Sequence, residues 1–250
     1  LPSFHELSDL IEQVDPIALC DALKTIKQYF AFGAKEALES IYNKLTDKVA
    51  KGCELTFGQR ALKNKCLSYL SISKDFEGAV KSQFNLASNM TDSLSALSCC
   101  ADQDLNCFEE LMSAFEDKWE ETTLVMDKWF TIQASLSSPS IFEKLEKLIA
   151  HPLFSLKNPN RARSLIGAFS TANPRFFHCD TGKGYQFLSE QLTKLDKINP
   201  QVASRLVTPL IQFKEFEPKR QQLMKAELVK LSQLENLSKD LKEKLNAALS

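Results

Sequence analysis

The sequence contains few of the residues that build turn-rich sheets or targeting segments. Glycine occurs 7 times and proline 9 times in 250 residues, while Leu, Ala, Lys, Glu and Ser dominate, a balance that favours helices. No stretch approaches the roughly 20 apolar residues of a membrane helix. The first residues lack the basic and apolar regions of a secretory signal, and no initiator Met is present, so we expect a fragment of a longer protein.

The charge balance is close to neutral, with 31 basic and 32 acidic residues and a formal net charge of −1. Such a chain has no large field to hold it on nucleic acid or on an anionic membrane. The composition is nevertheless that of a globular protein, with 44% hydrophobic residues. We therefore expect no nucleic-acid partner and no membrane partner.

The seven cysteines are an odd number without the paired C-x-x-C spacing of a zinc knuckle or a disulfide framework. Reduced and mostly buried thiols in a cytoplasmic protein fit this pattern best. The cysteines are Cys20, Cys53, Cys66, Cys99, Cys100, Cys107 and Cys179.

Apolar residues recur with the helical period along most of the chain, and short breaks separate the periodic segments. Segments 17–32 and 35–50 predict a helical hairpin with its turn near Gly33. Ser140 and Glu143 predict a capping box at the start of a later helix. Further helices are predicted at about 57–72, 75–88, 91–101, 105–116, 121–134, 140–149, 218–234 and 238–249.

Three more helix starts carry Asn followed by Pro, at residues 158–159, 173–174 and 199–200. Asn caps a helix well, and Pro is tolerated at the first helical position because its missing N–H has no partner there. Together the helices predict an all-α fold of antiparallel hairpins stacked as an armadillo- or HEAT-like superhelical solenoid, forming a single domain over residues 1–250. A compact helical bundle is the alternative, because successive hairpins are not close copies of one another.

Zinc hydrolases of the H-E-x-x-H type need two histidines one helical turn apart and a glutamate beside them. His5 and Glu6 supply only the first half of this motif, because Asp9 stands at the place of the second histidine. Only His151 and His178 remain elsewhere. We therefore expect no metal site in this chain and interpret His5 as a residue of an N-terminal helix.

Other potential sites have ordinary structural explanations. A thiolate nucleophile needs a neighbouring imidazole, but Cys99 and Cys100 follow leucines on an apolar helix, where cysteine usually packs as a small hydrophobe. The segment 182–184 (Gly-Lys-Gly) lacks the spacing of a phosphate-binding loop and predicts a helix-entry turn. The aromatic residues around Trp129 have helical spacing, which favours core packing over a ligand pocket.

Three arginines, Arg161, Arg163 and Arg205, follow closely after the Asn-Pro helix starts. A positive charge gains nothing from the helix dipole in a first turn, so another interaction would have to favour the arginines there. Guanidinium groups bind carboxylates in a bidentate manner. A peptide C-terminus and an acidic neighbour within the fold both satisfy this chemistry.

Five strings carry a resemblance to a known family: LKNKCLSYL at 62–70, NMTDSL at 89–94, LVMDKWF at 124–130, NPNRARSLIGAF at 158–169 and NPQVASRL at 199–206. They resemble the C-terminal helical domain of the aminopeptidase N family, bacterial-type zinc metallo-aminopeptidases of the gluzincin group. The resemblance extends from about residue 15 to the C-terminus. The family's catalytic motifs, G-A-M-E-N and H-E-x-x-H, do not occur in this chain.

The resemblance implies a non-catalytic domain that covers the active-site chamber of a larger enzyme and helps to orient short peptides there. Arg163 and Arg205 match arginines that line the chamber and would face the C-terminal side of the substrate. Zinc and the catalytic residues would belong to the catalytic domain of the same polypeptide. The alternatives are a stand-alone α-solenoid that binds proteins or peptides, and a small cysteine hydrolase.

Overall fold

Helices account for almost all regular structure in the computed structural model, which describes residues 1–250. The only β-type pairing is an isolated parallel bridge between Val14 and Phe216. The all-α fold class is therefore confirmed. The helices are α1 (Phe4–Ser8), α2 (Pro16–Gly33), α3 (Lys35–Ala50), α4 (Phe57–Leu70), α5 (Glu77–Leu86), α6 (Met90–Gln103), α7 (Phe108–Trp119), α8 (Thr123–Ala134), α9 (Ile141–Ile149), α10 (Pro159–Ala162), α11 (Ala168–Ala172), α12 (Pro174–Phe177), α13 (Lys183–Asp196), α14 (Pro200–Leu206), α15 (Thr208–Ile211), α16 (Pro218–Ser232) and α17 (Lys239–Leu249).

Several helices begin where a side chain accepts hydrogen bonds from the first backbone N–H groups, as α4, α6 and α17 do. Full capping boxes form at Ser3 with Glu6 and at Thr56 with Gln59. The predicted box at Ser140 is wrong: its backbone is already helical and makes no side-chain cap, and its hydroxyl donates to the hydroxyl of Ser138. A capping hydroxyl needs extended backbone, which the sequence pattern does not reveal.

The chain divides into two compact units, one of residues 1–22 with 133–250 and one of residues 23–132. The single domain of residues 1–250 stays a prediction. In the second unit, α3 packs on α4, both α4 and α5 pack on α6, and α6 packs on α7. Trp129 and Phe130 are buried in this unit, and the indole N–H of Trp129 donates to the carbonyl of Met112 over 2.9 Å. The predicted aromatic core packing is confirmed.

A buried polar network joins α4, α5 and α6. The Lys63 ammonium lies 2.9 Å from a carboxylate oxygen of Asp92, and both side chains are 6% exposed. Asn64 donates to the other carboxylate oxygen, and Gln83 donates to Asn64 and to the carbonyl of Asp92. Burial opposes the charge of Asp92, but these hydrogen bonds and the Lys63 charge prevail and lower its pKa. The network fixes the register of three helices through one carboxylate.

The other unit packs α13 against α14 and α16, and packs α17 against α14 and α16. Its aromatic core includes Phe169, Phe177 and Tyr185, none of them exposed. Residues 182–184 form the predicted helix-entry turn: Gly182 has φ +71°, and a Cβ at Gly184 would lie 2.1 Å from the carbonyl oxygen of Phe177. Glycine is required at both places for different reasons.

Candidate functional site

The first arginine segment begins at α10, where Asn158 accepts hydrogen bonds from the backbone N–H groups of residues 160 and 161 and Pro159 occupies the first helical position. The Asn-Pro start is confirmed here and at 199–200. At 173–174 the helix starts as predicted, but Asn173 makes no side-chain cap. Its buried amide donates instead to the carbonyls of Ala134 and Leu136.

A π-helical turn, Arg163–Gly167, interrupts the helix between α10 and α11. The N–H of Ala168 donates to the carbonyl of Arg163, five residues back. Hydroxyl groups of the following turn bond to carbonyls of this segment: Ser170 donates to the carbonyls of Ile166 and Gly167, and Thr171 donates to that of Gly167. Such π-turns occur frequently at functional sites.

Arg163 is the only exposed residue between 161 and 170; Ala168 is half-buried and the others are buried. The segment 161–170 is therefore buried on nearly every side, and Arg163 is its one side chain that faces solvent. The Nη1 of Arg163 donates to Oδ1 of Asn160 over 3.2 Å, a neutral partner. The backbone that carries this guanidinium is therefore fixed while its charge remains unpaired with a carboxylate.

Arg205 occupies a comparable position on α14. The three residues before it, 202–204, are buried, Arg205 is exposed, and its side chain forms no ion pair. The first-turn placement expected from the sequence is wrong, because α14 is only seven residues long and Arg205 lies in its last turn. There the helix dipole favours a positive charge, so the dipole argument for an unusual role does not apply to Arg205.

The two segments meet at Gly167. A Cβ built there would lie 3.1 Å from Cδ2 of Leu206 and 3.8 Å from Cβ of Arg163. The residue next to Arg205 and the base of Arg163 thus approach the same point on the π-turn. Gly167 permits this close contact because it has no side chain. The structure places Arg163 and Arg205 on adjacent elements of one unit.

Arg161, the third arginine, is 4% exposed and does not share this solvent-facing position. Sequence reasoning missed the residues that support the site, namely Asn160, Gly167, Ser170 and Thr171. A glycine followed by closely spaced hydroxyl residues was the available signal, but helical periodicity does not distinguish a π-turn from a regular one.

A second polar cluster surrounds Arg220, which is 5% exposed. Its guanidinium pairs with Asp180 and Glu217 and donates through Nε to the carbonyl of His178. The imidazole of His178 lies 2.8 Å from the hydroxyl of Tyr185, and burial together with the charge of Arg220 lowers its pKa to about 3. Every group has an internal partner, so the cluster holds α13 and α16 in place.

The cysteine and histidine residues considered in the sequence have separate structural partners. The Sγ atoms of Cys100 and Cys107 lie 3.5 Å apart in one unit, whereas His178 bonds Tyr185 in the other. Burial raises the pKa of Cys99 to about 12 and raises that of Cys100 further. Thiols so strongly protonated are poor nucleophiles, which argues against a cysteine hydrolase.

His5 and Glu6 lie on α1 as expected, and the side chain of each has a partner within the protein. Glu6 closes the capping box with Ser3, and Nε2 of His5 lies 3.0 Å from the carbonyl oxygen of Thr171. No group of three or more His, Cys, Asp and Glu side chains in the chain is arranged to hold a metal ion. No helix has both the length and the apolar character needed to cross a membrane.

Comparisons with known proteins connect this geometry to a family. The family model described as a domain of unknown function, DUF3458_C, with ARM repeats matches residues 1–250. Aminopeptidase N of Escherichia coli K12 is 42% identical over 252 residues, and that of Haemophilus influenzae is 39% identical over 249 residues. Aminopeptidase N of Caulobacter vibrioides is 32% identical over 252 residues.

In each case the match covers 100% of this chain but only 29% of the relative. A crystal structure of Legionella pneumophila aminopeptidase A in complex with aspartic acid superposes with a TM-score of 0.86 at 30% identity. That match covers 100% of this chain and 30% of the other. The ARM-repeat description agrees with the predicted stacking of helical hairpins.

Proposed function

Because this chain belongs to the DUF3458_C family of ARM-repeat domains and is homologous to the C-terminal region of aminopeptidase N, we propose that it is the non-catalytic cap of a larger aminopeptidase. In the intact parent the cap encloses the active-site chamber and orients short peptides whose N-terminal residue the enzyme removes. Its partners are the catalytic domain of the same polypeptide and the peptide substrate. Zinc and the groups that perform hydrolysis belong to that catalytic domain.

One observation carries the proposal: Arg163 and Arg205 are exposed and form no ion pair, yet both project from buried, adjacent segments that meet at Gly167. A guanidinium binds a carboxylate through two parallel hydrogen bonds. The C-terminal carboxylate of a peptide is therefore the substrate group that these arginines would hold. Fixed backbone reduces the ordering that binding requires.

The test replaces Arg205 with Ala in the intact parent and compares a tripeptide with an amino-acid arylamide. The tripeptide presents a distant carboxylate and the arylamide does not, so kcat/KM should fall roughly tenfold for the tripeptide, equivalent to about 1.4 kcal/mol, and stay nearly constant for the arylamide. Arg205→Lys should recover part of the loss, because it keeps the charge without the bidentate geometry. Equal losses on both substrates would contradict the role.

Arg175→Ala is the matched control, because Arg175 is a half-buried arginine of the same unit that already pairs with Asp21 over 2.5 Å. We expect it to leave the ratio of the two activities unchanged. A ratio shifted as far as in Arg205→Ala would mean that any loss of positive charge in this unit disturbs peptide turnover.

A stand-alone peptide-binding solenoid is the alternative function, and affinity distinguishes it. Two exposed arginines bind a carboxylate weakly in water, so this chain alone should bind a tripeptide no more tightly than about 1 mM by calorimetry. Micromolar affinity without the rest of the parent would favour the stand-alone module.

We further propose a cytoplasmic location, which the seven free cysteines support, and no nucleic-acid or membrane partner.

A further inference from the structure

The C-terminal half of α2 carries four large apolar side chains in solvent, here termed the α2 face: Ile26, Tyr29, Phe30 and Phe32. They are 48%, 84%, 46% and 58% exposed, respectively. At about 100° per residue they span a sector of roughly 160° around the helix. The other residues of this sector from 25 onward are Thr25 and Gly33, so the sector contains no charge.

The α2 face is held in place by the unit that carries it. The ring of Phe30 lies 4.7 Å from that of Tyr69 on α4, measured between centroids. Tyr69 is itself 8% exposed, so Phe30 rests on the core with one side and faces solvent with the other. The face is thus an ordered surface of α2, and its composition is that of a buried helix side.

A helix elsewhere in the chain shows what a solvent-facing side looks like. On α17 the buried positions are Leu241 and Leu245, while residues 239, 240, 242, 243 and 246, which are Lys, Asp, Lys, Glu and Asn, are exposed. Repeat proteins need such polar outer faces wherever stacking stops. The α2 face lacks this polar character, whereas single exposed apolar residues such as Phe57 are ordinary.

The size of the α2 face determines which occupant fits it. With roughly 200 Å² for each fully exposed large side chain, the four side chains expose on the order of 450 Å². A stable interface between separate molecules buries about 800 Å² on each partner. A second copy binding from dilute solution would therefore be held poorly by this face. A partner in the same polypeptide needs less area, because tethering gives a high effective concentration.

We propose that the α2 face is an intramolecular interface, covered in the intact parent by an apolar surface of the polypeptide that precedes this C-terminal region. The relatives contain enough additional polypeptide to form such a surface, because this chain covers only 29% of their length. The inference rests on the proposed function, since both require the longer parent. It adds the surface through which the cap is attached.

Hydroxyl-radical footprinting of the intact parent measures the exposure of each aromatic side chain directly. We expect Tyr29 and Phe32 to be oxidised at least fivefold more slowly than Phe57, which is 86% exposed in the same unit, after each rate is normalised to the unfolded parent. The protection should not change on tenfold dilution or on addition of peptide. Rates equal to that of Phe57 would overturn the proposal.

Protection that disappears on dilution would also overturn it, since a second copy would then be the occupant. Protection that appears only with added peptide would do the same in favour of a substrate-binding face.

Tyr29→Lys and Phe32→Lys should each lower the Tm of the intact parent by several degrees, while the matched Phe57→Lys should shift it by less than about 1 °C. Equal shifts in all three variants would count against the interface.

Footprinting tests whether the α2 face is buried in the intact parent, and the comparison of tripeptide with arylamide tests whether the arginines bind the peptide carboxylate. A covered α2 face with equal losses on both substrates would remove the proposed orientation of peptides and keep the interface. An exposed α2 face with selective loss of tripeptide turnover would do the reverse.

Discussion

Replacing Asp92 with Asn should destabilise the unit of residues 23–132 by about 3–5 kcal/mol, the cost of removing one partner from a buried ion pair. The carboxylate of Asp92 accepts hydrogen bonds from Lys63, Asn64 and Asn89. A carboxamide has one acceptor oxygen and two donor hydrogens, so at least one of these donors would face another donor. The Lys63 ammonium, 6% exposed, would lose its only carboxylate.

Urea unfolding followed by tryptophan fluorescence measures this cost, because both tryptophans, Trp119 and Trp129, lie in that unit. The matched control is Lys81→Met, which removes an exposed pair with Glu110 at 2.7 Å and should cost less than about 1 kcal/mol. If Asp92→Asn costs no more than Lys81→Met, the buried network does not stabilise the three-helix packing.

The pH dependence provides a second check. The pKa of Asp92 is lowered in the folded state, so its contribution is present above the unfolded pKa of about 3.9 and is lost as the pH falls through the folded value. The difference in the free energy of unfolding between the original chain and Asp92→Asn should therefore be constant from pH 5 to 7 and shrink below about pH 4. A difference that keeps growing toward low pH would refute the assigned charge state.

Two further predictions concern the other unit. Gly184→Ala should lower the free energy of unfolding by more than about 3 kcal/mol, because its Cβ would lie 2.1 Å from a backbone atom of α12. The control is Gly78→Ala, at a helix position with open space around it, which should raise the free energy of unfolding by roughly 0.5–1 kcal/mol. Equal effects of the two substitutions in thermal melts would refute the close contact at Gly184. The buried imidazole of His178 has its pKa lowered to about 3, so its stabilisation of the fold is complete above pH 6.5 and decreases as the pH falls toward 3. Over that range the free energy of unfolding should fall by up to about 1.4 kcal/mol per pH unit. His178→Gln should flatten the dependence of unfolding free energy on pH between 5 and 6.5, and an unchanged slope would show that the imidazole is not held neutral.

The helices could be predicted from the sequence because their signals are local. Apolar period and Asn-Pro starts place most boundaries within about three residues; α3, for example, has the predicted bounds Lys35–Ala50. The failures come from tertiary effects. Ser140 has a capping sequence but a helical backbone, and Asn173 uses its amide for distant carbonyls instead of its own helix.

The site was predictable only in part. The resemblance selected Arg163 and Arg205, and the structure adds that both are exposed and lie on adjacent elements. Their role stays a prediction. The π-turn was not predictable, because its hydrogen bonds depend on how Ser170 and Thr171 satisfy carbonyls and on how Leu206 packs against Gly167. Periodicity reports which side of a helix is buried and carries no information on a single inserted residue.

The strength of the arginine site depends on how far water is excluded from it. An exposed guanidinium gains at most about 1 kcal/mol from a carboxylate because solvent screens the pair, and the same pair gains more where water is excluded. Arg163 and Arg205 are exposed in this chain, so their proposed selectivity for peptides requires a neighbour that closes the chamber above them.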